Sequence, residues 1–145
     1  MNQADGDPTT TSGPHFTFSI LHAAQLIEGQ IEGALDKVGL SMAKHSALSQ
    51  LADAGTPLTL SELAERLSCV RSNITQLVDR LEADGLVRRV NDPSDRRSVR
   101  AELTELGVER QAAGAEEVAR VQKEISDRLS SEDLSSLESA LLSIG

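Results

Sequence analysis

Ser72, Asn73, Thr75, Gln76 and Arg80 place hydroxyl, amide and guanidinium groups along one short stretch, and Arg96 and Arg97 form an adjacent pair downstream. No nucleophile–base combination stands among them. Amides and guanidinium groups bond in pairs to base edges, and hydroxyls and arginines bond phosphate oxygens. Ile74, Leu77, Val78 and Leu81 recur at i, i+3, i+4 and i+7, which predicts a helix over about 71–83 with those four on its buried face. At about 100° per residue, Ser72, Gln76 and Asp79 then fall on the opposite face, flanked by Asn73 and Arg80 on one side and Thr75 on the other. Taken alone, a polar helix face is most often merely solvated. The arginine pair downstream changes that reading.

A second helix must precede this one to position it. Thr59-Leu60-Ser61-Glu62 has the form of a capping box, in which the threonine hydroxyl and the glutamate carboxylate satisfy each other's backbone N–H groups. Leu58 and Leu63 stand where a hydrophobic staple would clamp the entry, and Pro57 cannot continue an earlier helix. Leu60, Leu63, Ala64 and Leu67 supply a short buried stripe, and a turn is expected at Ser68-Cys69-Val70. Downstream, Asp84-Gly85 ends the second helix, with Gly85 suited to the left-handed position after a helix C-terminus. Strands are expected over 86–90 and 98–103, joined by the turn-rich segment Asn91-Asp92-Pro93-Ser94-Asp95-Arg96-Arg97. An exposed hairpin with arginine at its tip has the shape and charge to enter a narrow minor groove. Asp95 could hold one arginine extended through a local ion pair. Arg88 and Arg89 alternate across the first strand, so only one of them, taken as Arg88, is expected to face a partner.

The segments ELAERL, SNITQLVDRLEADGLVRR and DPSDRRSVRAELTELG resemble the winged helix-turn-helix core of the MarR family of bacterial transcriptional regulators. The wing signature is the specific part: Asp95-Arg96-Arg97, a strand, then Leu103-Thr104-Glu105-Leu106-Gly107. The chain departs from the family in the turn, where Val70 stands at a position commonly Ser or Thr and Cys69 at one commonly apolar. The resemblance implies a mainly α fold with a small β-hairpin wing, in which the winged helix-turn-helix core is flanked by N- and C-terminal dimerisation helices. It divides the chain into a disordered tail (1–15) and a single domain (16–145), with dimerisation helices over 16–40 and 104–145 and the winged unit over 41–103. Arg71, Ser72, Asn73, Thr75, Gln76, Arg80, Arg88, Asp95, Arg96 and Arg97 are the expected DNA-binding residues, with Arg97 oriented by Asp95 as the minor-groove contact. The resemblance also implies release by a small-molecule effector held by the first, second and fifth helices, with Phe16, His22 and His45 as weak candidates for its pocket. With two Phe and no Trp or Tyr in the chain, aromatic stacking there would be sparse.

Charge distribution agrees with this reading although the total does not. The net charge is −9, yet between Arg66 and Arg100 there are eight arginines and five acids, so the predicted reading unit is positive and the remainder strongly acidic. Two alternatives stay open: a winged-helix module that binds protein, which the acidic composition favours, and a small-molecule carrier that does not bind DNA. Enzyme classes fare poorly, since no phosphate-cradling glycine loop, nucleophile elbow or HExxH helix is present. No metal and no cofactor are expected, because His15, His22 and His45 match no ligand spacing. The single cysteine suits a reducing cytoplasm, where the protein is expected to reside, and Cys69 is read as a packed turn residue. No stretch reaches the apolar length of a membrane span.

The flanking segments are helical. Ile20, Ala24, Ile27, Ile31, Leu35 and Val38 repeat at spacings of four and three from about Phe16. Ser41 can cap a second helix that Gly55 closes, Thr104 one that runs to about Leu129, and Ser130 a last one carrying Leu134, Leu137, Leu141 and Ile144. The patch Ala112-Ala113-Gly114-Ala115 permits close helix approach. The first and last helices carry more apolar surface than a lone wing domain needs, which predicts a homodimer. Such a dimer would present two reading helices about one DNA turn apart, roughly 34–36 Å, to an inverted-repeat operator.

Overall fold

The computed structural model describes residues 14–67 and 73–145. Among these the order is α1 (Pro14–Asp36), α2 (Met42–Ala54), β1 (Leu58–Thr59), α3 (Leu60–Arg66), α4 (Ile74–Ala83), β2 (Val87–Asp92), β3 (Asp95–Leu103), α5 (Glu105–Ser126) and α6 (Ser131–Leu142). The fold is mainly helical with one small antiparallel sheet, strand order β1-β3-β2. The expected hairpin is β2–β3, and a third strand, β1, adds to it. Leu58 and Thr59 pair with Ala101 and Arg100 of β3, so the residue read as a staple also serves as an edge strand. The wing strands are longer than predicted and turn tightly at Pro93 and Ser94, with a register irregularity at Asn91/Asp92.

Capping chemistry sets the helix starts. Ser41, Thr59, Thr104 and Ser130 each accept a backbone N–H three residues on, and at Thr59 the Glu62 carboxylate completes the reciprocal box. Gly55 (φ 66°) and Gly85 (φ 76°) close α2 and follow α4 in the left-handed region, where a Cβ would be strained. One start differs from expectation. The Asn73 side chain accepts from the N–H groups of Thr75 and Gln76, so α4 begins at Ile74 rather than near Arg71. α1 begins at Pro14 instead of Phe16, ends at Asp36 instead of Val38, and α5 ends at Ser126.

The core lies where α2, α3, α4 and the sheet meet. Leu35, Leu48, Leu63, Val78, Leu81 and Leu86 are fully buried. Burying a side chain of this kind contributes roughly 1.5–3 kcal/mol, so the apolar stripe of α4 (Leu77, Val78, Leu81) fixes which face of that helix is left outside. α5 leaves the sheet through a tight junction. Thr104 N–H donates to the Leu86 carbonyl (3.1 Å), Thr104 Oγ1 donates to the Gly85 carbonyl (2.6 Å), and Gly107 N–H donates to Thr104 Oγ1 (3.0 Å).

Candidate nucleic-acid interface

With Leu77, Val78 and Leu81 pinned in the core, Asn73, Thr75, Gln76, Asp79 and Arg80 are left exposed along the opposite side of α4. The predicted reading face is therefore real as a surface. Asn73 has a prior commitment, since its Oδ1 caps the helix at 3.1 and 3.3 Å; its amide nitrogen is what it can offer a partner. Arg71 and Ser72, together with the turn residues Ser68, Cys69 and Val70, lie outside the described residues.

The arginines divide into two groups by what they already hold. Arg88 donates to Glu102 (2.8 Å), its direct cross-strand neighbour in the register. Arg89 reaches Asp79 (2.5 Å) and Glu82 (2.9 Å) on α4. Arg100 lies between the Asp92 carboxylate (3.0 Å) and that of Glu62 (3.5 Å), and it also donates to the Pro57 carbonyl (3.3 Å). Among the described residues, no carboxylate comes within ion-pair distance of Arg80, Arg96 or Arg97. These three are exposed, as is Arg66 on α3, which likewise meets no carboxylate among the described residues; Arg80, Arg96 and Arg97 are the ones carried by α4 and the wing.

Local hydrogen bonds, rather than an ion pair, shape the wing tip. Asp92 accepts from the N–H (3.0 Å) and hydroxyl (2.7 Å) of Ser94, and these bonds, with Arg100 alongside, hold its carboxyl below the usual carboxylate range. Asp95 accepts from the backbone N–H of Arg97 at 3.0 Å. It therefore orients Arg97 through the main chain, where a side-chain ion pair was expected. The Arg89 guanidinium is pushed further toward the charged form, first by its bond to Asp79 and then by the nearby acids. The turn falls inside the segment read as turn-rich, whereas the Asp92–Ser94 bonds that shape it and the double commitment of Arg89 were not predicted. Asp-Pro-Ser is an Asx-turn signal that could have given the first; the second needs the tertiary approach of β2 to α4.

The three candidate pocket residues are not gathered around one cavity. Phe16 and His22 are exposed on α1, whereas His45 is wedged between α2 and α5. Its Nδ1 is buried with no hydrogen-bond partner, its Nε2 lies 3.4 Å from Ser49 Oγ, and burial lowers its pKa. A different hollow, about 360 Å³, sits between α2, the segment before β1, β3 and α5, lined by Leu51, Pro57, Leu103 and Val108 among others. Among the described residues no group of three His, Cys, Asp or Glu side chains is placed to hold a metal ion, and no helix is long and apolar enough to cross a membrane.

Two short helices, the second with a polar outer face, and an arginine-tipped β-hairpin after them define a winged helix-turn-helix protein. The MarR family model matches residues 40–99. AbsC, a MarR family transcriptional regulator from Streptomyces coelicolor, is 33% identical, with a TM-score of 0.78 over 93% of each chain. The chain belongs to the MarR family of transcriptional regulators. The HTH-type transcriptional regulator YfiV of Bacillus subtilis is 44% identical over 69 residues, which are 48% of this chain and 42% of that protein. A mutant MarR from E. coli complexed with operator DNA shares the fold at a TM-score of 0.78, with 23% identity over 90% of this chain and 94% of that one. The chain spans between 34% and 58% of the length of the first curated relatives it matches.

Proposed function

We propose that the protein is a sequence-specific, duplex-DNA-binding regulator that acts as a homodimer on an inverted repeat and represses transcription by occluding a promoter. The observation that carries this reading is the sorting of its arginines. Arg88, Arg89 and Arg100 are neutralised inside the unit, while Arg80 on α4 and Arg96 and Arg97 on the wing are left outward. A solvated surface or a protein-binding module has no reason to hold its spare cations at these two points. A duplex does, because α4 fits the major groove with Thr75, Gln76 and Arg80 toward base edges and phosphates while the wing reaches the adjacent minor groove. The operator DNA bound by the E. coli MarR mutant supports the same reading. Asn73 extends the proposed surface at the start of α4, and Arg88 and Asp95 support it on the wing; Arg71 and Ser72, also expected there from the sequence, lie outside the described residues.

Relief by a small molecule is the second half of the proposal. The 360 Å³ hollow adjoins both the base of the wing and the start of α5, and its volume is in the range that takes a small, mainly apolar compound. A ligand seated against Leu103 and Val108 would bias the angle between the reading unit and α5. Phe16, His22 and His45 are not among its lining residues.

Fluorescence anisotropy decides the DNA reading, using a labelled duplex from upstream of the protein's own coding sequence and a scrambled duplex as control. Saturable binding that prefers the native duplex and falls steeply with salt is the expected result, since neutralised phosphates release counterions. Equal, salt-labile binding to both duplexes would remove sequence specificity from the function.

A further inference from the structure

We propose that Arg89 is a positioning residue for DNA reading: it clamps α4 to the wing and cancels the two acids that the reading helix would otherwise turn toward phosphate. The inference rests on the proposed DNA-binding function and assigns to Arg89 a part that no direct contact would supply. Asp79 lies on the outward face of α4 beside Gln76 and Arg80, and Glu82 stands three residues on. Both carboxylates keep substantial exposure, 58% and 43% of their side-chain surface. A duplex laid on this face would press its phosphates toward them, and like charges brought together with loss of water are costly.

The Arg89 guanidinium answers both carboxylates at once. Nη2 meets Asp79 at 2.5 Å and Nη1 meets Glu82 at 2.9 Å, while the other Glu82 oxygen accepts the Arg89 backbone N–H at 3.2 Å. Only a planar fork with several fixed donors can span two carboxylates in this way; an ammonium would have to choose between them. The neighbouring pairs do other things. Arg88–Glu102 joins the two wing strands, and Arg100 ties the wing to Glu62 of α3. Among the described residues, the ion pairs that join α4 to the wing are those of Arg89. Since α4 and the wing are meant for neighbouring grooves, the angle between them is part of recognition, and small misplacements there cost affinity directly.

The test uses the full chain and a duplex that the wild-type protein enriches from a randomised pool. Affinity is measured across a salt series for wild type, Arg89→Gln, Arg89→Lys, D79N/E82Q and the triple variant R89Q/D79N/E82Q, with amide hydrogen exchange on each free protein. For Arg89→Gln the expected results are a roughly tenfold loss of affinity, an unchanged slope of log K against log salt, and faster exchange in α4 and β2. Arg89→Lys should recover part of the loss. The triple variant should recover the part due to uncancelled acid but not the part due to the lost clamp, so that it binds better than Arg89→Gln while α4 and β2 still exchange faster than in wild type. A slope shallower by about 0.9, the value of one phosphate contact, with no recovery in the triple variant would show that Arg89 touches DNA itself and overturn the proposal. Unchanged affinity in Arg89→Gln would overturn it as well. If Arg89→Gln does not fold, Arg89→Lys and the D79N/E82Q pair carry the same comparison. Enrichment of no duplex by the wild type would defeat the DNA reading instead, and hydrogen exchange would still decide the clamp: unchanged protection in Arg89→Gln overturns it.

Discussion

The His45 ring and Gly114 are packed so closely that a Cβ on Gly114 would sit 2.5 Å from His45 Nδ1, with Leu40 Cδ1 at 3.0 Å on another side. α2 and α5 approach one another through this absent side chain. Gly114→Ala should therefore destabilise the fold by about 1–3 kcal/mol, the usual cost of forcing a methyl into a filled interior. Gly107→Ala should cost more, because its Cβ would collide with the Leu86 carbonyl, which is backbone and cannot rotate away. Urea denaturation of the two variants measures the difference; equal stability of Gly114→Ala and wild type would show that the ring yields without loss.

The same ring makes stability depend on pH. Burial holds the His45 pKa below its ordinary 6.5, so the unfolded chain binds the proton more readily than the folded one. The contribution is fully present above pH 6.5 and is lost as pH falls from there through the folded pKa. The melting temperature of the wild type should decline on acidification from about pH 7 to 5, and His45→Gln should flatten that decline. A decline of the same steepness in the variant would assign it to other groups.

What was legible in the sequence was local. The Thr59–Glu62 box, the α4 stripe and the Gly85 ending involve residues within a turn or two of each other, and each stands as expected. What escaped was non-local. β1 is two residues long and exists only because β3 offers Ala101 and Arg100 as partners, so no periodicity announces it. The start of α4 depended on a choice among adjacent capping residues, and Asn73 takes the role. Spacing separates Arg88 from Arg89 by face, yet only the packing of β2 against α4 shows that Arg89 is consumed by Asp79 and Glu82.

Arg97 is expected to carry a base-level contact in the proposed complex. Arg97→Ala should weaken binding to the operator by about 1–3 kcal/mol, the order of a good groove contact. Its exposed side chain makes no ion pair among the described residues, so folding stability should stay within about 0.5 kcal/mol of wild type. Parallel anisotropy titrations and thermal melts separate the two effects. Wild-type affinity at moderate salt would remove Arg97 from the interface.

The wing should fail in acid before the helices do. Asp92 is held below its ordinary pKa by Ser94 and Arg100, so its contribution is present above the unfolded carboxylate value, about 3.9, and is lost as pH falls through the lower folded value. Asp92→Asn should mimic that loss at neutral pH, since the amide cannot pair with Arg100 as a charge. Faster amide exchange over β2 and β3 in Asp92→Asn, with α1 and α5 unaffected, is the expected pattern; uniform change along the chain would contradict a local role.

The dimer is the remaining prediction, and α6 argues it most directly. Its twelve residues include Leu134, Leu137, Leu141 and Leu142, yet none of the helix is buried. Leu142 is 81% and Ile144 64% exposed, and α1 adds Phe16 and Phe18 at 54% and 67%. Side chains of this kind each forgo roughly 1.5–3 kcal/mol while they stay in water. An apolar surface spread over both ends of the chain is the signature of a partner, and a second copy whose α1 and α6 interleave with these would cover it. Light scattering at micromolar concentration should then give twice the 15.5 kDa chain mass. The variant Leu137→Glu/Leu141→Glu should shift the mass toward 15.5 kDa and weaken operator binding sharply, since the two half-sites would then be bound by separate chains and not by one linked pair of reading helices. A wild-type protein that scatters as a monomer would end the dimer, and with it the reason to expect an inverted repeat.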